Sequence, residues 1–313
     1  MFVLVGGAVV GLVLLTAAAD QLVVGAGRLA AGWGISPVVV GVVVIGVGTS
    51  APEFVVSGLA AAGGNSGLAV GNLVGSNIVN VTLILGVAAL VGPIAVRSSV
   101  SRREAPLTVG AVIVLAVLAM LGLGRIAGIV LLALTVAAVG LLIRTARGPI
   151  ADPLAGEVDD FLDRPPIRRP GREVLRAVAG LAGTLAGAQL LVVTAMTAAD
   201  RLGVPASVVG LTVVALGTSL PELVTAIQAQ RRGEGDLLIG NLLGSNLFNS
   251  LAGGAVVGLA GRGSPASLGY AAPAVMVVVN VVVWLLLRRQ HRIGRVGAGL
   301  LLTAYVVTFP LVT

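Results

Sequence analysis

Two carboxylates embedded in apolar sequence are the residues of this chain best suited to chemistry. Glu53 closes the run Gly48-Thr49-Ser50-Ala51-Pro52-Glu53, and Glu222 closes Gly217-Thr218-Ser219-Leu220-Pro221-Glu222. Each run is followed by Gly-Asn-x-x-Gly-Ser-Asn-x-x-Asn, first from Gly71 to Asn80 and again from Gly240 to Asn249. Glu53 to Asn80 spans 27 residues, as does Glu222 to Asn249, and the two copies lie 169 residues apart. Acids, hydroxyls and amides are costly in apolar surroundings, and an acid inside a membrane span is functional by default. Together they form a set of hard oxygen donors. Such a set suits Na+ or Ca2+, whereas soft metals favour sulfur or imidazole.

The spacing also says how these donors are held. Pro52 and Pro221 have no N–H and clash with the preceding turn, so each predicts a broken helix. The break is expected to bare carbonyls around 44–47 and 213–216, Gly46 and Ala215 among them, whose partial negative charge suits a cation. Thr49, Ser50, Thr218 and Ser219 can cap the restarted helix, with proline at a tolerated early position, or turn their oxygens to an ion. Glu53 lies four residues after Thr49, on the same helical face, and Glu222 stands likewise to Thr218. Ser76, Asn77 and Asn80, with Ser245, Asn246 and Asn249, add hydroxyl and amide oxygens. Pairing the two copies face to face would bring Glu53 near Glu222.

Composition places these residues in a bilayer. The chain has 313 residues, 57% hydrophobic and 11% charged, with mean hydropathy +1.07. That is the profile of a multi-span helical membrane protein, with spans of about 20 residues. Its 45 glycines favour close helix packing. There is no cysteine, so thiolate metal sites and cysteine nucleophiles are excluded. The one histidine, His291, sits among arginines, which argues against an imidazole metal site or a catalytic triad. No Gly-Lys-Ser/Thr phosphate loop is present. The net charge of +7 is carried by arginines between spans, a topology signal rather than a nucleic-acid surface. No cleavable signal peptide is expected.

Apolar periodicity predicts an all-α membrane fold of ten helices, at about 2–31, 36–62, 67–92, 105–123, 126–143, 173–203, 205–231, 236–261, 267–287 and 295–312. Residues 1–144 and 173–313 form two five-helix repeats, joined by a polar linker, 145–172, rich in charge and proline. The 169-residue offset also aligns Asp20 with Gln189. An odd number of spans per repeat means the second half is inserted upside down, with helices 2 and 7 broken at the core. With the N-terminus outside, Arg125, Arg201 and Arg262 fall on the outer side and the remaining 17 of the 20 basic residues on the inner side. Both termini are therefore expected outside and the linker in the cytoplasm. Asp20 is a weaker candidate ligand, because its repeat mate is neutral. Asp200, near a span end, is read as solvated.

The paired signatures Gly-Thr-Ser-x-Pro-Glu and Gly-Asn-x-x-Gly-Ser-Asn resemble the alpha repeats of the sodium/calcium exchanger branch of the calcium/cation antiporter superfamily, in its compact prokaryotic type. The resemblance implies Glu53 and Glu222 as central Ca2+ ligands shared with Na+, and Thr49 and Thr218 as further Ca2+ ligands. It implies that Ser50, Ser76, Ser219 and Ser245 line Na+ sites with the carbonyls of Gly46 and Ala215, and that Asn80 lies at the middle. Compact prokaryotic members often carry Asp where this chain has Asn249, so the pocket here has two acids. The resemblance further implies antiport by alternating access in the cell membrane, with Ca2+ and Na+ as cargo, no cofactor, no enzymatic activity, and a monomer sufficient for function. The first and sixth helices are its candidates for a sliding gate.

Charge arithmetic fits competition at one pocket. Two ionised glutamates balance one Ca2+, and a load of three Na+ leaves one positive charge in excess. A pocket without ions would hold two like charges, so a proton is expected to compete with Ca2+ there, and such a pocket should resist changing sides. The alternative is a proton/calcium antiporter using the same glutamates. A passive channel fits less well, since two deep carboxylates without a ring of subunits describe a binding pocket. An intramembrane enzyme lacks a catalytic dyad.

Overall fold

The computed structural model describes residues 2–32, 46–96, 100–145, 170–261, 268–290 and 292–312. The helices are α1 (Phe2–Gly32), α2 (Gly46–Thr49), α3 (Ala51–Ala62), α4 (Ser66–Val79), α5 (Leu85–Val91), α6 (Val100–Leu121), α7 (Arg125–Thr145), α8 (Pro170–Leu202), α9 (Ala206–Val209), α10 (Ala215–Thr218), α11 (Leu220–Arg232), α12 (Gly235–Phe248), α13 (Gly254–Ala260), α14 (Ala271–Gln290) and α15 (Arg295–Val312). Among the described residues, seven helical segments are long and apolar enough to cross a membrane, or eight if the bent pair Ala206–Thr218 and Leu220–Arg232 counts as one. The opening of the expected second span, 36–45, lies outside the described residues, as do linker residues 146–169, Arg262 and His291. Helix α8 already begins at Pro170, so the linker ends earlier than the charge pattern predicts.

Burial is arranged for a hydrocarbon solvent. Leu68–Val79 of α4 and every residue of α12 are buried. The outer helices expose apolar side chains, such as Val9, Val10 and Val13 on α1 and Ile126, Ile129 and Val130 on α7. The polar residues go inward: Glu53, Glu222 and seven of the motif hydroxyls and amides (Ser76, Asn77, Asn80, Thr218, Ser245, Asn246, Asn249) are all fully buried. Polar groups inside and aliphatic surface outside is the expected order when the solvent cannot hydrogen-bond.

Glycine sets which helices touch. Helices α1 and α8 run antiparallel, with Gly25 against Ala177, Gly180 against Leu22, Gly187 against Leu15 and Gly11 against Leu191. A Cβ on Gly187 would lie 2.6 Å from the Leu15 nitrogen, and one on Gly180 2.5 Å from that of Leu22. No side chain fits there, so the two backbones pack directly on each other. Gly71 and Gly75 of the first motif play the same part against the segment before α10. A Cβ on Gly71 would lie 2.6 Å from Ser207 O, and one on Gly75 2.5 Å from Leu211 O.

The connections sort into two ends. At one end, strands β1 (Ile94–Ala95) and β2 (Arg292–Ile293) pair antiparallel, Ile94 with Ile293. Gln230 Nε2 donates to Pro93 O there, and Gly235 closes on Ala95. Elsewhere, Leu268 N donates to Ala119 O and Gly258 packs on Gly124 and Gly128. The two short strands depart from the all-helical expectation. They join connections from the two halves through backbone hydrogen bonds.

Candidate cation site

Both expected helix breaks are present. The chain turns at Ser50 (φ −80, ψ 0) between α2 and α3, and at Ser219 (φ −83, ψ 8) between α10 and α11. The second break bends its segment by 41°. Pro52 and Pro221 sit in the first turn of the restarted helices, where a missing N–H costs nothing. Of the two roles open to Ser50 and Ser219, capping is not taken: they hold the capping positions, but neither side chain caps the backbone. Nor are the carbonyls of Gly46 and Ala215 bare: Ser50 N donates to Gly46 O at 3.3 Å and Ser219 N to Ala215 O at 3.1 Å. The helix is kinked, not unwound. The carbonyls deprived of an amide by proline are those four residues earlier, of Gly48 and Gly217.

The two copies of the motif cross-bond. Thr49 Oγ1 lies 3.2 Å from Asn241 Oδ1, 3.1 Å from Ser245 Oγ and 3.4 Å from Gly46 O. Its repeat mate Thr218 Oγ1 lies 3.1 Å from Asn72 Oδ1, 3.4 Å from Ser76 Oγ and 3.3 Å from Ala215 O. Each broken helix of one half is thus read by the Gly-Asn-x-x-Gly-Ser-Asn helix of the other. The motif glycines let those helices come close enough for their amides and hydroxyls to meet.

The carboxylates lie inside this cross-bonded frame. Ser219 Oγ donates to Glu53 Oε1 at 3.0 Å, which ties the second break to the first acid. The hydroxyls of Thr218 and Ser76 also stand near Glu53, and those of Ser245 and Thr49 near Glu222. Glu222 in turn lies within electrostatic reach of Glu53. Glu53 Oε2, both Glu222 oxygens, Ser50 Oγ, Asn80 Oδ1 and both polar atoms of Asn249 are buried without a hydrogen-bond partner among the described residues. Buried polar atoms are nearly always paired in folded proteins. A set of converging unpaired oxygens around two acids is what a bound cation would satisfy. The described residues contain no group of three or more His, Cys, Asp or Glu, so hydroxyls and amides must supply the remaining ligands.

Several supporting features have no obvious signal in the motifs. The helices turn π-helical at Asn80–Ile84 and Asn249–Gly253, at the same repeat positions, and at Gly210–Val214. Such widened turns frequently mark functional sites. Ser57 accepts from Asn72 Nδ2 at 3.0 Å, and Ser250 from Asn77 Nδ2 at 3.2 Å. Asn280 on α14 bonds Asn246 at 2.8 Å. None of these three partners is repeated: Ala226 stands opposite Ser57, Val81 opposite Ser250, and 109–117 on α6 holds only apolar residues and glycine. A lone polar residue in an apolar span was the only sequence clue to Asn280.

Asp20 does not join the cluster. It is exposed on α1, where Gln21 Nε2 donates to its carboxylate at 3.1 Å. Gln189 is exposed on α8, and Asp200 is exposed at the end of that helix. The α1–α8 seam turns the faces that carry Asp20 and Gln189 outward.

Comparison with known proteins agrees with this geometry. Residues 3–144 and 173–312 match the family described as "Sodium/calcium exchanger protein". A protein of Alkalimonas amylolytica provisionally named antiporter CaxA is 39% identical over 306 residues, covering 95% of this chain and 94% of the relative. Sodium/calcium exchanger MaX1 of Methanosarcina acetivorans is 28% identical, covering 96% and 95%. The solved structure of the sodium-calcium exchanger NCX_Mj, soaked with Na+ and Sr2+, superposes with TM-score 0.71 at 30% identity, covering 99% of both chains. The family is one of transporters, not enzymes, and its members exchange cations including Ca2+ across a membrane. With a match in both halves and two motif copies cross-bonded around paired acids, the chain belongs to the sodium/calcium exchanger family.

Proposed function

We propose that this protein is a secondary active antiporter that exchanges Na+ for Ca2+ by alternating access, with both ions competing at Glu53 and Glu222. Thr49, Thr218, Ser50, Ser219, Ser76, Ser245, Asn80 and Asn249 supply the remaining side-chain oxygens, and backbone carbonyls at the two breaks add to them. The observation that carries this reading is the set of unpaired buried oxygens on the two acids and on Asn80 and Asn249, inside a frame built by both halves. Oxygen-only ligation with several neutral donors suits Ca2+ and Na+ alike. Two acids match the charge of one Ca2+, so a larger Na+ load makes the exchange electrogenic.

The architecture that goes with this function is two five-helix repeats, 1–144 and 173–313, inserted with opposite orientation. The antiparallel α1–α8 seam and the crossed Thr49 and Thr218 bonds support it. The arginine count then puts both termini outside the plasma membrane and the linker in the cytoplasm. A single chain holds every ligand named, so a monomer suffices.

Vesicles loaded with Na+ test the exchange. Wild-type protein takes up 45Ca2+ when external Na+ is removed, and Glu53→Gln or Glu222→Gln brings uptake to background. Uptake driven by a pH gradient alone, with no response to Na+, would instead establish a proton/calcium antiporter.

A further inference from the structure

Asn280 sits fully inside α14, and its amide occupies one end of a buried chain of amides. Its Nδ2 donates to Met276 O at 2.8 Å and reaches Asn77 O at 3.5 Å. Backbone carbonyls only accept, so these contacts commit the nitrogen to that side and the oxygen to the other. Asn280 Oδ1 then accepts from Asn246 Nδ2 at 2.8 Å, and the same Nδ2 donates to Asn77 O at 3.0 Å. That orients Asn246 in turn. Its Oδ1 accepts from Asn80 Nδ2 at 3.0 Å, which leaves Asn80 Oδ1 buried and unpaired. Asn249, the repeat mate of Asn80, has no such chain among the described residues, where both its polar atoms are unpaired.

We infer that Asn280 is a positioning residue that sets the polarity of this amide chain, so that Asn80 presents its oxygen and not its NH2 group to the transported cation. The inference rests on the cation pocket proposed above. An amide presents either a donor or an acceptor by rotating half a turn, and only the acceptor binds a cation. Asn280 makes the reversed chain unfavourable, because reversal would set Asn246 Oδ1 against both Asn280 Oδ1 and Asn77 O. The first half's amide is held and the second half's is not, so the two repeats contribute unequally to one pocket. Asn80 is a fixed ligand and Asn249 an adjustable one.

The test uses the full chain with Asn280→Leu, of near-equal shape but without polar atoms, alone and combined with Asn80→Asp. A carboxylate offers oxygen to the cation in either orientation, but its other oxygen then faces Asn246 Oδ1, so removing Asn280 there frees Asn246 to turn its amide instead of costing the pocket its oxygen. Two readouts are taken: half-saturating Ca2+ for Na+-driven uptake in proteoliposomes, and calorimetric Ca2+ titration in detergent. Asn280→Leu should raise half-saturating Ca2+ about three- to tenfold, the worth of one buried hydrogen bond, with maximal rate changed less than about twofold. In the Asn80→Asp background the same change should raise it less than about twofold, or lower it. Equal shifts in both backgrounds, or a loss of rate with no shift, would overturn the inference. Asn280→Ser, which keeps a donor to its own helix but cannot reach Asn246, should behave like Asn280→Leu if that variant fails to fold, and wild-type affinity there would count against the idea. If wild-type protein binds Ca2+ with this background dependence but shows no Na+-driven uptake, the exchange reading fails and the role of Asn280 stands.

Discussion

Sequence symmetry makes Ser50 and Ser219 equivalent, but the structure does not. Ser219 Oγ donates to Glu53 Oε1 at 3.0 Å, whereas Ser50 Oγ has no hydrogen-bond partner among the described residues and Glu222 has the hydroxyls of Ser245 and Thr49 near it. Ser219→Ala therefore removes a fully buried bond to an acidic oxygen, while Ser50→Ala removes none. A bond to a charged group is worth about 1.5–3 kcal/mol in water-soluble proteins. Interhelical bonds in bilayers average about 0.6 kcal/mol and reach about 1.7. Taking about 1–1.5 kcal/mol, Ser219→Ala should raise half-saturating Ca2+ about five- to twelvefold, since the carboxylate is no longer held with Oε2 free for the ion. Ser50→Ala, which removes an ion oxygen but breaks no bond to either acid, should raise it less than Ser219→Ala does. The assay is Na+-driven 45Ca2+ uptake by reconstituted protein over a range of external Ca2+, with expression and detergent stability as controls. Equal shifts for the two variants, or a larger one for Ser50→Ala, would refute the asymmetry.

Other outcomes follow from the same geometry. Protons should compete with Ca2+ for the paired acids, so half-saturating Ca2+ should rise as pH is lowered; titration flat across the acidic range would count against two ionised ligands. Gly187→Leu should disrupt the α1–α8 seam and lower the thermal midpoint in detergent by several degrees or prevent folding, whereas Gly6→Leu, with open space around it, should be neutral. Equal behaviour of the two would mean the seam is not tightly packed. Arg28 Nη1 lies 3.5 Å from Glu173 Oε1 across that seam, with side chains 24% and 11% exposed. Arg28→Ala should cost under about 1 kcal/mol, less in high salt, as read from thermal unfolding at two ionic strengths. A large, salt-insensitive loss would mean the arginine does more than pair.

Much of the site was legible before any coordinates. The two acids, the proline-marked breaks and the equal 27-residue spacings point to the cation pocket proposed above, because acids and amides in apolar sequence need a partner whatever the fold. The helical class followed from hydropathy, and the matching of halves from repetition. Asp20 could be ranked only as a weaker candidate, because a one-dimensional alignment cannot say which face of α1 meets α8. That face is chosen by Gly11 and Gly25 together with Gly180 and Gly187 across the seam. Likewise, proline predicted bare carbonyls at Gly46 and Ala215, but the amides of Ser50 and Ser219 still reach them.

Chain order alone therefore settled which atoms are available to bind an ion, since side-chain chemistry and the cost of burying it are local properties. Which of those atoms remain unpaired was decided only in three dimensions. Ser57, Ser250 and Asn280 come from separate helices, have no counterparts in the other repeat, and take up some of the motif amides while leaving others free. Hydrogen bonds between distant segments depend on helix rotation and on separations of about 3 Å, and no spacing along a chain encodes those.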